Sequence, residues 1–397
     1  LDRSGDNSVT VTDGTWSLAV AAKEAGDHFK EGFELITVTQ TDTAGNVSSS
    51  VSKLIEVVST LTTTSGKTDY SEDDLSGVTK VILGAAFTLP KLTSYLPKKI
   101  EANAKAITAD DTGVDITGMT MSSAGTLTIS DGVTLTLTKG QATAFNSGGG
   151  ISLSTGVAAV TGSGDLTDED LTNVTLTMDA DATLPNGQSD LPKAIDAASN
   201  KITIATAVDI SSVTITNPGA LEISGTTNVT MTVAQHNAFS SIAGTGSGQT
   251  ITLSDAGTVS GDADIETYVL AAAGNSTLTL GDAAQSVTTG GNGDDTINVS
   301  TLTATGTFNT SAGDTISLGN GANISGVNGE GDGTGAVLDA TKLTLASGAS
   351  VTMTAAQNNG FSSTITADGS ETVTLSDANN ATGRSNIEAY VLANGNQ

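Results

Sequence analysis

Three stretches of this chain are one stretch written three times. Gly125–Ser147, Gly219–Ser241 and Thr341–Ser363 align without a gap. Leu127, Leu221 and Leu343 correspond, then Ile129, Ile223 and Leu345, then Leu135, Val229 and Val351, then Leu137, Met231 and Met353. Apolar residues alternate with Thr or Ser, the period-2 pattern of a strand with one face turned inward. The other face carries hydroxyls such as Thr136, Thr230 and Thr352. The fold must therefore repeat a β-rich unit.

Each copy then changes period. Thr138-x-x-Gln141, Thr232-x-x-Gln235 and Thr354-x-x-Gln357 fit a capping box, in which hydroxyl and amide close exposed backbone N–H groups at a helix start. Phe145, Phe239 and Phe361 follow four residues after each Gln, one turn along, where they close the end of a strand layer. His236 falls in this turn, but Asn358 stands at its place in the third copy, which argues against catalysis.

Composition limits what else the chain does. It has 397 residues with 46 Gly, 5 Pro and only 3% aromatics, so short strands joined by tight turns enclose a thin core. Zero Cys excludes disulfides, thiolate metal sites and a Cys nucleophile. The formal charge of −28 repels nucleic acid and anionic lipid and suits multivalent cations. From Ile202 onward 17 acidic residues face two basic ones, Lys342 and Arg384, whereas Lys residues gather between Lys67 and Lys105. No apolar run reaches the roughly 18 residues that span a bilayer. Leu1 reads as the start of a fragment or mature chain.

In chain order, residues 1–58 read as strands at Ser8–Val11, Thr15–Val20, Leu35–Gln40 and Ser49–Val58, with Trp16 as an inter-sheet plug. The segments Asp13-Gly-Thr-Trp and Val38-Thr-Gln-Thr-Asp-Thr-Ala-Gly-Asn-Val-Ser, with the turn Asp42, Ala44, Gly45, Asn46, Ser48, resemble the bacterial Ig-like repeats of large surface adhesins. That resemblance implies a partial Ig-like β-sandwich over 1–58. A Ser/Thr/Gly linker over 59–68 follows, then repeat units 69–164, 165–276 and 277–397, the last with a Gly/Asp-rich insertion at 277–335. The first two are offset by 94 to 96 residues: Leu96-Pro-Lys-Lys-Ile echoes Leu191-Pro-Lys-Ala-Ile. The Pro-Lys stretches Leu96–Ala106 and Leu191–Ala198 predict short helices with Pro in the first turn. Ile251-Thr-Leu-Ser-Asp through Tyr268 returns as Val373-Thr-Leu-Ser-Asp through Tyr390, so both Tyr residues belong to the repeat.

Candidate chemistry concentrates in the insertion. Gly290-Gly-Asn-Gly-Asp-Asp-Thr-Ile-Asn298 fits the G-G-x-G-x-D-x-U-x nonapeptide of parallel β-rolls and resembles the repeats-in-toxin (RTX) family of secreted proteins. The resemblance implies a Ca²⁺ site with Asp295 as ligand and carbonyls around Gly291 and Gly293. Asp314, in Asp-Thr-Ile 19 residues on, is a degenerate partner. Asn328, Glu330, Asp332, Gly333 and Asp339 fall at positions 1, 3, 5, 6 and 12 of an EF-hand-like loop, without flanking helices. The acidic run Asp165–Asp170 lies where Ca²⁺ would stiffen a joint between units. The pairs Asp179/Asp181 and Asp262/Asp264 mimic glycosidase carboxylates but do not recur, and no Ser/His/Asp set assembles around His28 or His236.

These readings predict an all-β chain. A parallel β-helix or solenoid is favoured, because strand pairs recur about every eight residues. Asp131-Gly132 equally suits a hairpin, which leaves antiparallel sandwiches as the alternative. The expected function is non-enzymatic and extracellular: a building block of a bacterial surface layer, sheath or filament, or the stalk of a giant adhesin, stiffened by Ca²⁺ and self-associating. The competing expectation is a carbohydrate-binding adhesin tip or a polysaccharide-degrading β-helix enzyme, with cell-surface glycan as partner.

Overall fold

Alternation of one inward apolar residue with one outward hydroxyl builds strands of two to five residues that stack one on the next. In the computed structural model they form a parallel β-solenoid of about 16 turns. It describes residues 32–38, 45–47, 49, 51–57, 60–153, 155–291, 294–329 and 338–393. The chain divides into two compact units, Leu1–Thr136 with Ser147–Val157, and Leu137–Asn146 with Ala158–Gln397.

In the first unit, strand Gly32–Val38 pairs antiparallel with Val51–Val57, in the region expected to be Ig-like. The expected strands at Ser8–Val11 and Thr15–Val20, and Trp16, lie outside the described residues. Thr60–Thr62, inside the stretch read as linker, is already the first strand of sheet A, followed in parallel by Lys80–Ile82, Lys99–Glu101 and Thr120–Ser122. Sheet B runs Phe87–Thr88, Ile107–Ala109, Leu127–Ile129, Ile151–Leu153. The chain steps from sheet to sheet and returns to each after about 20 residues. Asp131-Gly132 is one of those corners: Gly132 takes φ +73°, and the strands flanking it, Leu127–Ile129 and Thr134–Leu137, belong to different sheets. The hairpin alternative fails there because the corner turns the chain to a new face instead of back on itself.

In the second unit sheet C runs Val157–Thr161, Val174–Thr177, Ala194–Asp196, Thr214–Thr216. Sheet D holds Gly164–Asp165, Ala182–Thr183, Ile202–Ile204, Ala220–Ser224 and Ser241–Thr245. Sheet E extends over seven strands from Val208–Asp209 to Asn328–Gly329, and sheet F over six from Thr258–Ser260 to Thr364–Thr366. Sheet G holds Ser350–Met353, Thr372–Leu375 and Ala389–Val391.

Register stacks like on like. Val229, Ile251, Tyr268, Val287 and Phe308 follow one another up the inside of sheet E, and Val259, Leu278, Ile297, Ile316 and Leu343 up sheet F, all buried. Each such side chain contributes about 1.5–3 kcal/mol by leaving water. A chain poor in aromatics thus obtains its core by repetition.

Among the described residues three short helices interrupt the stacking: α1 Lys139–Gly148, α2 Val233–Ala238 and α3 Ala355–Gly360. Sheet C ends at Thr214–Thr216, and the next pass of the chain is α2. Sheet E ends at Asn328–Gly329, and the next pass is α3. The predicted helices at Leu96–Ala106 and Leu191–Ala198 are absent. Single 3₁₀ turns lie just upstream at Thr93–Tyr95 and Gln188–Asp190, and strands Lys99–Glu101 and Ala194–Asp196 occupy the predicted spans. Proline explains it: Leu96 (ψ 144°) and Leu191 (ψ 142°) are held extended before Pro97 and Pro192, and Ile100 and Ile195 then take inward positions at strand period.

Candidate functional site

Two of the carboxylates that the Gly/Asp-rich segment offers as ligands, Asp295 and Asp314, are used inside the fold. Asp295 is fully buried where sheet F turns into strand Thr296–Val299. Its Oδ1 accepts the Ser276 N–H at 2.6 Å, one turn below, and its Oδ2 accepts the Gly290 N–H at 2.9 Å. Asp314 repeats the device one turn above: Oδ1 accepts the Asp295 N–H at 3.0 Å, and Oδ2 accepts the Ser311 N–H at 2.6 Å and the Thr289 hydroxyl at 2.5 Å. The two Asp residues brought together by their 19-residue spacing form a staircase that staples successive corners. Burial pushes the Asp295 carboxyl above its ordinary range, the two N–H groups pull it down, and Asp314 and Asp294 push it up again.

That staircase fits backbone N–H groups better than a cation. Ca²⁺ takes six to eight oxygen ligands, whereas here every carboxylate oxygen faces at least one positively polarised hydrogen. Gly290 must be glycine for the same corner, since a Cβ there would lie 2.0 Å from the Ala271 carbonyl oxygen. Gly291 is exposed, and Gly293 lies outside the described residues. Of the EF-hand-like set, Asn328 is exposed at the start of the last strand of sheet E and Asp339 is exposed in a bend. Glu330, Asp332 and Gly333 lie outside the described residues. Among the described residues no three His, Asp or Glu side chains converge as a metal site.

The acidic run Asp165–Asp170 is likewise engaged. Asp165 Oδ1 accepts the Thr167 N–H and hydroxyl, which hold its carboxyl below the usual range. Glu169 accepts the Thr143 hydroxyl of α1, and Asp170 accepts the Asn146 amide at 3.2 Å. Asp181 accepts the Lys201 N–H at 2.8 Å.

The capping boxes form as the Thr-x-x-Gln spacing predicts. At α2, Thr232 Oγ1 accepts the Gln235 N–H and Gln235 Oε1 accepts the Thr232 N–H; Thr354 and Gln357 do the same at α3, and Thr138 and Gln141 at α1. Sequence reasoning missed the other end of the Gln. Gln235 Nε2 donates to the carbonyls of Ile210 (2.7 Å) and Val213 (2.8 Å), and Gln357 Nε2 to those of Ile324 (2.8 Å) and Val327 (3.2 Å). Each amide clamps its helix to the corner before the last strand of the sheet it ends. Gln285, buried in a helix-free turn, does the same with Asp262 and Ile265. Its signal was Asp282-x-x-Gln285, a capping-box spacing with no helix behind it. Also missed was why Ser-Asp recurs: Asp255 Oδ1 accepts the first N–H of α2 (Val233, 2.7 Å) and Asp377 Oδ1 that of α3 (Ala355, 2.7 Å).

Under α2 sits a second buried polar cluster. His236 Nε2 lies 3.3 Å from the Tyr268 hydroxyl and 3.6 Å from Asp262 Oδ2, and Nδ1 lies 3.3 Å from Asn237 Oδ1. Tyr268 is fully buried, and its hydroxyl oxygen accepts the Asp262 N–H at 2.9 Å. Burial lowers the His236 pKa against the pull of Asp262, raises Asp262 against the pull of His236, and raises Tyr268. The pair Asp262/Asp264 is therefore split: Asp262 serves this cluster. A cavity of ≈ 130 Å³, lined by Ile215, Pro218, Ala234, Gln235, Ala238 and Phe239, lies between α2 and the end of sheet C.

No family model, no curated protein and no solved structure matches this chain.

Proposed function

We propose that this chain is a non-enzymatic structural segment of an extracellular assembly, a surface layer, sheath, filament or adhesin stalk, whose copies self-associate with Ca²⁺ as a stiffening ion. The observation that carries the reading is where the polar chemistry goes. Asp295, Asp314, Gln235, Gln285 and Gln357 are all engaged in fastening one turn of the solenoid to the next. A catalytic site needs groups held ready for a substrate; these groups are held by the fold. The cavity beside α2 is smaller than the roughly 300–1,000 Å³ typical of small-molecule sites. A strongly acidic surface, −28 overall, needs multivalent cations to bring copies together.

Electron microscopy and sedimentation of the purified chain with Ca²⁺ and with EDTA test this. Ordered sheets or fibres in Ca²⁺ that dissolve on chelation are the expected result. A monomer under both conditions, together with retention on a cell-surface glycan or cleavage of a polysaccharide, would overturn it.

A further inference from the structure

We infer that α2 is an acid-released latch, fastened by His236 against Tyr268 and Asp262, at the corner where sheet C ends. The latch has two sides. On one, the helix holds the end of sheet C through the two Gln235 bonds to Ile210 and Val213, and Ser240 N donates to Gly219 O at 2.9 Å just beyond the helix. A half-open groove runs on that side between Ile215 and Pro218 and the helix residues Ala234 and Ala238. On the other side the His236 ring, 5% exposed, meets Tyr268 edge-on with ring centroids 5.8 Å apart.

Asp262 and Tyr268 are the titratable groups shown to reach this ring, and the others on the elements beside it are acidic. Asp255 sits at the helix start, Asp262, Asp264 and Glu266 lie in the segment leading into strand Thr267–Val269, Tyr268 is in that strand, and Asp209 is in the first strand of sheet E. No Lys or Arg occurs from Ile202 to Thr341. The buried site accommodates a neutral ring: its polar neighbours stand 3.3–3.6 Å away, too far for strong charge-assisted bonds. A protonated ring does better nearer water, beside the partly exposed Asp262 carboxylate, and movement of the ring carries the one-and-a-half-turn helix with it. Because burial depresses the folded-state pKa below the unfolded value, acidification through the ordinary imidazole range favours the opened helix. Asp262, raised by burial, offsets part of this at lower pH. Opening frees the Ile210 and Val213 carbonyls that Gln235 engages.

The third repeat supplies an internal control. At α3 Asn358 replaces His236, Tyr390 replaces Tyr268, and Arg384 replaces Asp262. Tyr390 O–H donates to Asn358 Oδ1 at 3.2 Å, Arg384 N donates to the Tyr390 oxygen at 3.2 Å, and the guanidinium donates to the Asn358 carbonyl at 3.3 Å. That set holds no imidazole and no carboxylate, so α3 stays shut where α2 lets go.

Hydrogen exchange on the full chain at pH 7.5 and pH 5, corrected for intrinsic rates, tests the latch. The amides of α2 are expected to lose protection several-fold on acidification while those of α3 do not, and His236→Asn is expected to abolish the difference. Equal responses of α2 and α3, or a His236→Asn variant that keeps the wild-type response, overturn the inference. Should that variant misfold, imidazole NMR on the wild type decides, since the chain has only two His. A His236 midpoint below that of an unperturbed imidazole supports the latch, and one at or above it refutes it.

Discussion

Gln357 is the side chain whose removal most directly tests how the solenoid ends a sheet. It is 1% exposed, accepts the Thr354 N–H at 2.9 Å and donates to two carbonyls of the turn below. In Gln357→Ala the Ile324 carbonyl keeps a partner, the Val327 N–H at 2.9 Å, while the Val327 carbonyl loses the side-chain donor. A buried group left without a partner costs about 1–3 kcal/mol and a lost cap about 1 kcal/mol, so the variant should lose about 2–4 kcal/mol. Gln357→Glu keeps the acceptor but points a carboxylate at two carbonyl oxygens, and an uncompensated buried charge costs about 3–5 kcal/mol. Glu is therefore expected to be worse than Ala at pH 7 and to recover on acidification, when its protonated oxygen can donate. Stability in a stacked-repeat protein is local, so the measurement is hydrogen exchange of the amides of α3 beside a urea melt. If both variants stay within about 0.5 kcal/mol of wild type, the scale of an ordinary surface change, the clamp is ornamental and the reasoning fails.

Four further outcomes follow. Asp295→Asn places an amide N–H₂ against either the Ser276 or the Gly290 N–H, so it should cost about 1–3 kcal/mol locally, read by exchange at 276 and 290. Asp295 itself has a raised folded-state pKa, so its ionised form is the unfavourable one at neutral pH. That penalty is relieved as pH falls through the folded pKa, and the wild-type corner should gain protection on mild acidification. Asp368 is the opposite case: hydroxyl hydrogen bonds, Ser347 first, hold it down to about 2, so its contribution is present above the unfolded pKa and is lost as pH falls toward 2, visible as a carboxyl NMR midpoint there. Asp255→Ala and Asp377→Ala each remove the acceptor at a helix start, and each should weaken its own helix by about 0.5–1 kcal/mol and leave the other unchanged.

The all-β class and the parallel solenoid were legible because period-2 alternation survives even in strands of three residues. The true period was harder to see. The 94-residue echo between Thr138 and Thr232 marks where a helix ends a sheet, whereas the solenoid itself repeats about every 20 residues. That shorter period is carried only by single apolar positions such as Val259, Leu278, Ile297 and Ile316, whose neighbours vary. Pro97 and Pro192 misled for a related reason: a Pro in a helical first turn and a Pro after an extended residue look alike in sequence, and only the inward Ile three residues on decides between them.

The candidate site separated along a different line. The partners of these residues were invisible in the sequence. Asp295 and Asp314 were paired by spacing and do stand one turn apart, yet a spacing of one turn serves an N–H staircase as well as it serves a bound ion. What distinguishes them is which atoms of the turn below point at the carboxylate, and no local motif encodes that. His236 shows the converse. Asn358 stands at its place in the third copy, and either side chain is buried there. The exchange is coordinated, with Arg384 standing where the second copy has Asp262, and the tyrosine kept in both. Two copies that build the same helix over the same tyrosine, one with a titratable pair and one with a permanent charge, differ in response and not in architecture. In a repeat protein the shared positions report the fold, and paired departures from them report where one copy has been given a task of its own.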